Sequence, residues 1–232
     1  MTALGVVKDP SSLGEFALFR GLAPADLQRV NERLHRRVVP AGANLITADQ
    51  PGDVVYLLVE GTVKILAEQP DTREVILAFL GAGDTVGEMS LVDSAGRSAN
   101  VLTIDECTFY WMNRAAFQDC LQIPEFSNNL VRLLCARLRL ANEQIQSLSS
   151  LDVAGRVARQ LLAFAERYGQ PQTDGTRITL RLTQSDLAQL VGASRERVNQ
   201  IMVDLRQKGL IALEPGQQVV VRDAAGLARI CH

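Results

Sequence analysis

The sequence has 232 residues, of which 47% are hydrophobic and 22% are charged, and its formal net charge is −2. This composition predicts packed apolar cores and excludes a disordered chain. Apolar runs such as Val54–Val59 fall far short of the ~20 residues that cross a bilayer, and residues 1–10 lack the apolar segment of a secretory signal. We therefore expect no membrane partner and a cytoplasmic location.

The two parts of the sequence differ in the sign of their charge. Residues 1–150 carry 13 Lys and Arg against 18 Asp and Glu, a net −5, whereas residues 151–232 carry 11 against 8, a net +3. A basic C-terminal module is compatible with phosphate binding, although three charges are weak evidence alone. The four cysteines form no C-x-x-C pair and the two histidines are isolated, so we expect no metal site and no haem.

In the first half, helical and β patterns follow one another. The apolar spacing from Gly14 to Arg37 predicts short helices, one of them beginning near Pro24. Between Val38 and Met112, short β-branched runs separated by glycine turns about every ten residues predict an antiparallel β-roll. From Pro124 to about Ser149 no Gly or Pro interrupts the chain, which predicts one long helix.

Within this helix, apolar residues recur at spacings of three and four and form a stripe along one face. This spacing is typical of two helices that bury a common seam. The members of the stripe are Val131, Leu134, Leu138, Ala141, Ile145 and Leu148. The stripe predicts a dimerisation helix. The spacing alone leaves open whether it packs instead on the β-roll of its own chain.

After the long helix, the pattern predicts a hinge and a winged helix. Asp152, or Ser150, is suited to cap a helix over Val153–Tyr168, and Ser150–Ala154 is the candidate hinge. A turn at Gly169–Pro171 leads to a predicted strand over Arg177–Leu182 and two brief helices. Two further strands around Pro215-Gly216 complete the wing.

The segment Gly87–Ala99 offers the groups that a sugar phosphate requires. Gly87 lets the backbone approach a ligand, Arg97 and Ser98 are donors for phosphate oxygens, and Glu88 is an acceptor for a ribose hydroxyl. The alternative is that Glu88 and Arg97 form a solvated pair in a turn.

The segment Leu182–Ile201 has the pattern of a helix-turn-helix. Thr183 is suited to cap the first helix, Gly192 to make the turn and Ser194 to cap the second. The side chains predicted to enter the major groove are Arg195, Glu196, Asn199 and Gln200. By chemistry, Arg195 suits guanine, Glu196 suits cytosine and Gln200 suits adenine or a phosphate. The alternative is a helical hairpin with a charged face.

Both segments resemble the cyclic-AMP receptor protein (CRP/FNR) family of transcription regulators, and the resemblance covers nearly the whole chain, including Leu151–Arg156. It implies an α+β fold with a cyclic-nucleotide-binding, jelly-roll-like β-roll over residues 1–123. A long dimerisation helix would follow over residues 124–150 and a winged helix-turn-helix DNA-binding domain over residues 151–232. No N-terminal cysteine cluster is present for the iron–sulfur centre of FNR-type members.

The resemblance also implies which residues bind the effector. Gly87 and Glu88 would hold the ribose, and Arg97 with Ser98 the cyclic phosphate. The full expected set is Gly87, Glu88, Met89, Ser90, Arg97, Ser98, Ala99 and Asn142. The base-contacting pair of the family aligns on Ala141 and Asn142, and Ala141 cannot form a side-chain hydrogen bond. We expect cyclic AMP, with cyclic GMP, a cyclic dinucleotide or effector-independent DNA binding as alternatives.

For DNA, the resemblance implies a homodimer on a pseudo-palindromic operator, with RNA polymerase as a further partner of an activator. The expected DNA contacts are Thr183, Gln184, Ser194, Arg195, Glu196, Asn199 and Gln200. Gln200 stands where the family commonly has Arg, so the half-site could differ.

Two other classes of function are alternatives to a DNA-binding regulator. An enzyme would use Glu88 as a base and Arg97 to stabilise an oxyanion, but no nucleophile–His pair, metal cluster or second paired carboxylate accompanies them. A regulatory subunit that does not bind DNA is the other alternative. The sequence therefore predicts a DNA-binding regulator rather than an enzyme.

Overall fold

The structure, a computed structural model, describes residues 7–68, 74–214 and 218–231. Within these ranges, no helix has the length and apolarity to span a membrane. The chain divides into two compact units. The first contains residues 7–68 and 80–140, and the second contains residues 74–79, 141–214 and 218–231. The three-domain division expected from the sequence stays a prediction.

The first unit opens with two 3₁₀ turns, Pro10–Glu15 and Ala17–Phe19, and helix α1, Pro24–Asn31. Pro24 stands in the first turn of α1, as predicted. The prediction of helix as far as Arg37 is wrong, because strand β1 begins at His35. Residues 35–39 pair antiparallel with residues 107–111. The hydrogen bonds of this ladder outweigh the local helical preference that the apolar spacing suggested.

The predicted antiparallel roll is confirmed. It consists of two four-stranded sheets, in the orders β1-β8-β3-β6 and β2-β7-β4-β5. Its strands after β1 (His35–Val39) are β2 (Asn44–Ile46), β3 (Val54–Glu60), β4 (Val63–Glu68), β5 (Glu74–Leu80), β6 (Thr85–Val86), β7 (Asn100–Thr103) and β8 (Cys107–Asn113). Two short helices accompany them, α2 (Met89–Val92) and α3 (Arg114–Leu121).

Strand β3 is buried on both faces. Val55 and Leu57 pack with Phe117 in a cluster between the sheet and the helices, whereas Tyr56 and Leu58 belong to the cluster inside the roll. Successive side chains of a strand point to opposite faces, so a strand covered on both sides requires apolar residues at every position. This explains the uninterrupted run Val54–Val59.

The long helix α4 spans Pro124–Ser150. Its first turns are held in place because Phe126 and Leu130 are buried in the same cluster as Val55, Leu57 and Phe117. Asn129 adds hydrogen bonds to two backbone carbonyls of the N-terminal segment, at 3.2 and 2.7 Å. Of the apolar stripe, Leu134 packs partly against the same cluster. The other members of the stripe, Val131, Leu138, Ala141, Ile145 and Leu148, are exposed.

After α4, the second unit continues with α5, Val153–Tyr168. The predicted cap is confirmed: Asp152 accepts a 2.8 Å hydrogen bond from the backbone N–H of Gly155. The elements that follow are β9 (Gly169–Gln172), β10 (Gly175–Ile178), α6 (Gln184–Val191), α7 (Arg195–Gln207), β11 (Ile211–Glu214), β12 (Gln218–Val221) and α8 (Ala224–Ile230). Their strands form one antiparallel sheet in the order β11-β12-β10-β9.

Two details of the predicted wing are wrong. The predicted turn at Gly169–Pro171 lies in strand β9, and the strand predicted over Arg177–Leu182 is β10, Gly175–Ile178. Pro171 is tolerated because β9 lies at the edge of the sheet, where a missing N–H breaks no ladder. Leu180 and Leu182, which suggested a longer strand, lie beyond its end and are buried in the core. The predicted Pro215-Gly216 turn lies outside the described residues.

Thiol reactivity tests the packing of the first unit. Burial, together with Asp105, raises the pKa of Cys107 to about 12, and burial, together with Asp119, raises the pKa of Cys120 to about 11. Because the thiolate is the reactive form, we expect neither to be alkylated by iodoacetamide at pH 8 until the protein is unfolded. Exposed Cys135 should react in the folded protein. Peptide mass spectrometry measures each site, with Cys135→Ser as the control, and rapid labelling of Cys107 in the folded protein would contradict this core.

Candidate functional site

Glycines bring the predicted ligand-binding segment close to the neighbouring loop. Gly87 has φ +86°, and a Cβ there would lie 2.4 Å from Nη1 of Arg97. At Gly52, a Cβ would lie 2.0 Å from Oγ of Ser90. Real Cβ atoms do not approach so closely, so both positions require glycine. The result is a tightly packed wall formed by Gly52, Gly87, Ser90 and Arg97.

The guanidinium of Arg97 points into this wall, since the residue is only 8% exposed. Nη1 donates to the carbonyl of Gly87 at 2.9 Å and to Oγ of Ser90 at 3.1 Å, and Nη2 donates to the carbonyl of Val54 at 2.7 Å. These bonds use three of the five N–H donors of a guanidinium. Burial lowers the pKa of Arg97, while nearby negative groups, including Glu88, oppose that effect. Arginine stays charged nonetheless, so this is a desolvated cation that retains donors for an anion.

Glu88 is the most deeply buried carboxylate of the segment, at 1% exposure. Its Oε1 accepts a hydrogen bond from Arg137 of α4, which also donates to the backbone carbonyl of Thr85. Its Oε2 is buried without a hydrogen-bond partner, and so is the hydroxyl of Thr85. A buried acceptor without a donor costs about 1–3 kcal/mol. Oε2 of Glu88 can therefore accept a further hydrogen bond.

Sequence reasoning missed two arginines that organise this site. Arg137 lies one helical turn before Ala141, but Arg132 precedes it and Arg139 follows it in α4, and nothing in the pattern distinguishes the arginine that meets Glu88. Arg114 of α3 donates to the carbonyls of Gly52 and Ser90, at 2.6 and 3.1 Å, and pairs with Asp53 at 3.2 Å. It thereby joins the Gly52–Asp53 loop to helix α2.

The other predicted ligand residues differ in their exposure to solvent. Ala99 is buried, whereas Met89 and Ser98 are exposed, with Oγ of Ser98 4.0 Å from the sulfur of Met89. Asn142 lies on the exposed surface of α4. The structure thus brings Gly87, Ser90 and Arg97 into direct contact with one another and leaves Met89, Ser98 and Asn142 open to solvent.

The predicted helix-turn-helix forms in the second unit. Oγ1 of Thr183 accepts from the N–H of Asp186 at 3.0 Å and caps α6, and Oγ of Ser194 accepts from the N–H of Arg197 at 3.2 Å and caps α7. Between them Gly192 adopts φ +63°, the left-handed conformation that ends a helix. Each predicted cap and the predicted turn are confirmed.

Helix α7 has one buried and one exposed face. Its buried side chains are Val198, Ile201, Met202 and Leu205. The predicted readers Arg195, Glu196, Asn199 and Gln200 are all exposed, near the N-terminal end of the helix. Arg197, which sequence reasoning did not include, is exposed among them and donates to Oε1 of Gln200 at 3.5 Å.

A groove with a volume of about 390 Å³ opens beside this face. It is lined by residues of α6, α7 and the wing, namely Leu182, Thr183, Gln184, Ser185, Leu187, Arg195, Met202, Leu213, Glu214 and Val219. The predicted DNA contacts Thr183, Gln184 and Arg195 therefore share one concave surface. Within the ranges that the structure describes, no three His, Cys, Asp or Glu side chains cluster as metal ligands.

Comparison with known proteins matches both units to protein families. Residues 36–123 match the cyclic nucleotide-binding domain, and residues 155–230 match the Crp-like helix-turn-helix domain. The chain is 38% identical to a CRP-like cAMP-activated global transcriptional regulator of Mycobacterium tuberculosis, over 94% of this chain and 97% of the relative. It is 32% identical to the cyclic AMP receptor protein of Thermus thermophilus, over 92% and 95% of the two chains.

A solved structure with the same organisation is the c-di-GMP responsive global regulator CLP of Xanthomonas campestris. It superposes with a TM-score of 0.69 at 28% identity, over 86% of this chain and 99% of that one. Together with the two relatives, which match nearly end to end, this likeness identifies the family. The chain belongs to the cyclic-AMP receptor protein (CRP) family, whose members are DNA-binding transcription regulators with an N-terminal cyclic nucleotide-binding domain and a C-terminal helix-turn-helix.

Proposed function

We propose that this regulator binds cyclic AMP at Glu88 and Arg97, acts as a homodimer, and changes its affinity for a pseudo-palindromic operator when the nucleotide binds. The proposal rests on one observation above all: a buried carboxylate with an unsatisfied oxygen lies in the same packed segment as a buried guanidinium with donors to spare. A small anion that carries a hydroxyl is complementary to that pair.

The chemistry assigns a role to each group. A ribose hydroxyl would donate to Oε2 of Glu88, and the cyclic phosphate would accept from the remaining donors of Arg97 and from the exposed hydroxyl of Ser98. Gly87 and Ser90 hold the guanidinium through hydrogen bonds of 2.9 and 3.1 Å. Met89 and Ala99 would complete the wall around the phosphate. Glu88 and Arg97 are then buried groups whose cost of desolvation the ligand offsets.

Arg137 is a positioning residue in this proposal. It holds Oε1 of Glu88 and the carbonyl of Thr85 at once, and it lies on α4. The orientation of the carboxylate that receives the ribose is therefore tied to the long helix. A ligand that shifts the Glu88 carboxylate would therefore also shift the Arg137 guanidinium, and with it α4.

The base of the nucleotide is the least constrained part. Asn142 has both a donor and an acceptor for a base edge, but Ala141 beside it has neither. Two relatives are named for cyclic AMP, and the Xanthomonas regulator is named for c-di-GMP. Cyclic AMP is our first choice, and cyclic GMP, a cyclic dinucleotide and effector-independent DNA binding are the alternatives.

The homodimer would form along α4. Val131, Leu138, Ile145 and Leu148 follow a heptad rhythm and are exposed, with Leu138 and Ile145 at 63% and 65%. Such a row on a 27-residue helix is typical of a helix that pairs with a second copy of itself. We propose that DNA binding takes place in the cytoplasm, and that RNA polymerase is a further partner if the protein activates transcription.

On DNA, α7 would enter the major groove through Arg195, Glu196, Asn199 and Gln200. Thr183, Gln184 and Ser194 lie at the N-terminal ends of α6 and α7, where side-chain and backbone donors suit phosphates. Two such helices in a dimer would read half-sites about one helical turn of DNA apart. The net +3 of residues 151–232 favours the binding of this part of the chain to the DNA phosphates.

Calorimetric titration with cyclic AMP, cyclic GMP and cyclic dinucleotides tests the effector. We expect cyclic AMP to bind tightest, and Arg97→Gln to weaken it at least tenfold, since each hydrogen bond to a charged group contributes about 1.5–3 kcal/mol. Ser98→Ala, which removes an exposed hydroxyl, should weaken it less. Exposed Arg139→Gln on α4 is the matched control and should have no effect. Absence of binding by every nucleotide would refute this effector class.

Substitution of the stripe tests the dimer. Light scattering should give wild-type protein about twice the mass of the 25.3-kDa chain. Leu138→Glu and Ile145→Glu should give monomers, because a carboxylate in a helix seam loses its hydration without gaining a partner. Gln146→Glu adds the same charge beside the stripe on an exposed position and should stay dimeric. An unchanged mass for Leu138→Glu would argue against this seam.

Arg195→Ala tests the recognition helix, using DNA selected from a random pool by the wild-type protein with cyclic AMP. Loss of a bidentate contact to guanine should cost about 1–3 kcal/mol and relax the preference at one base pair of each half-site. Arg206→Ala, at the other end of α7, removes the same charge and should leave the base preference intact. Unaltered selection by Arg195→Ala would favour a regulator that does not read DNA with this helix.

A further inference from the structure

One arginine in the second unit connects two loops that are 40 residues apart in sequence. Arg156 lies in the first turn of α5 and is half-buried. Its Nε donates to the carbonyl of Val191 at 2.8 Å, Nη2 donates to the carbonyl of Gly192 at 3.4 Å, and Nη1 donates to the carbonyl of Leu151 at 3.0 Å. A single rigid group therefore has three backbone acceptors.

The acceptors belong to two segments with different roles. Leu151 lies in the two-residue break between α4 and α5, the predicted hinge. Val191 is the last residue of α6, and Gly192 is the left-handed turn residue that precedes Ser194, the cap of α7. The guanidinium thus joins the backbone of the hinge to the turn that sets the direction of the recognition helix.

The chemistry favours this arrangement. The last carbonyls of a helix lack intrahelical donors and carry partial negative charge, so a cation with several N–H groups suits them. The planar guanidinium has donors on different edges in a fixed geometry, whereas the ammonium of lysine is a single point. Lysine at this position could satisfy one segment but could not bridge both.

The start of α5 is itself held firmly. Gly155, the neighbour of Arg156, is buried, and a Cβ there would lie 3.2 Å from the carbonyl oxygen of Ile230 and 3.3 Å from Cβ of Leu151. Its N–H is bound by the cap Asp152 at 2.8 Å. A shift of the backbone at Leu151 or Asp152 would therefore move the Cα of Arg156. Because the guanidinium bonds to Val191 and Gly192, the shift would also displace the backbone at those two residues.

We infer that Arg156 is a positioning residue that transmits the geometry of the hinge to the turn of the helix-turn-helix, and so couples effector binding to the orientation of α7. The coupling to an effector rests on the proposed function. The mechanical link between hinge and turn does not, and it is tested separately.

The first test measures coupling in the full-length protein. Affinity for the selected DNA is determined with and without cyclic AMP for wild type, Arg156→Met, Arg156→Lys and the control Arg159→Met, which lies one turn along α5 and is also half-buried. We expect the ratio of the two affinities to fall at least fivefold in both Arg156 variants and to stay unchanged in the control. A merely structural role would lower both affinities together and leave the ratio at its wild-type value, which would overturn the inference.

The second test needs no effector. Hydrogen exchange is followed at the backbone N–H groups of Gly192 and Ala193, which donate to Gln189 and Ala188 at 3.3 and 2.9 Å. Asp152→Ala, which removes the cap at the hinge, should speed exchange at both amides in the wild-type background. In Arg156→Met or Arg156→Lys the same substitution should have no further effect on them.

The outcomes separate the two proposals. If the DNA affinity of the wild-type protein is the same with and without cyclic AMP, the proposed effector is refuted. The exchange experiment then tests the link between hinge and turn by itself. If Asp152→Ala speeds exchange at the turn equally with and without Arg156, the hinge acts on the turn by another route and the inference is wrong. The lysine variant keeps the charge, so it also provides the exchange test should the methionine variant fail to fold.

Discussion

The burial of the Glu88 carboxylate is the constraint on which the N-terminal unit depends. An ionised carboxylate at 1% exposure is costly unless a cation and hydrogen-bond donors accompany it. Arg137 of α4 supplies the cation for one oxygen. The segment Gly87–Ala99 and α4 therefore have to fit together for the buried carboxylate to be tolerated. In the proposed function, the other oxygen binds the nucleotide. A single side chain thereby connects recognition to the helix on which the proposed dimer forms.

The same principle, an arginine satisfying backbone and side-chain oxygens of distant segments, recurs along the chain. Arg97 bonds to the carbonyls of Gly87 and Val54, Arg114 to those of Gly52 and Ser90, and Arg156 to one carbonyl of the hinge and two at the turn of the helix-turn-helix. Each guanidinium thereby joins backbone segments that lie far apart in the sequence. Both functional regions are built from loops and helix ends held in this way.

Local signals were readable from the sequence, and long-range partners were not. Asp152, Thr183 and Ser194 cap the helices assigned to them because a cap depends on residues only three positions away. The boundary at His35 was misjudged because the ladder with residues 107–111 overrides the local helical spacing. The roles of Arg137 and Arg156 depend on carbonyls and a carboxylate that only the tertiary fold brings near, so no spacing rule could single them out among the other arginines.

Strand β3 has a consequence for the synthesis of the protein. Its main hydrogen-bonding partner, β8, lies about 50 residues later in the chain. At a translation rate of roughly 5–20 residues per second, the apolar segment Val54–Val59 is present in the nascent chain for about 3–10 s before β8 is synthesised. During that interval the segment is exposed to aggregation and is a natural client for a ribosome-associated chaperone, so the yield of soluble protein should depend on the pace of elongation as much as on the stability of the finished fold.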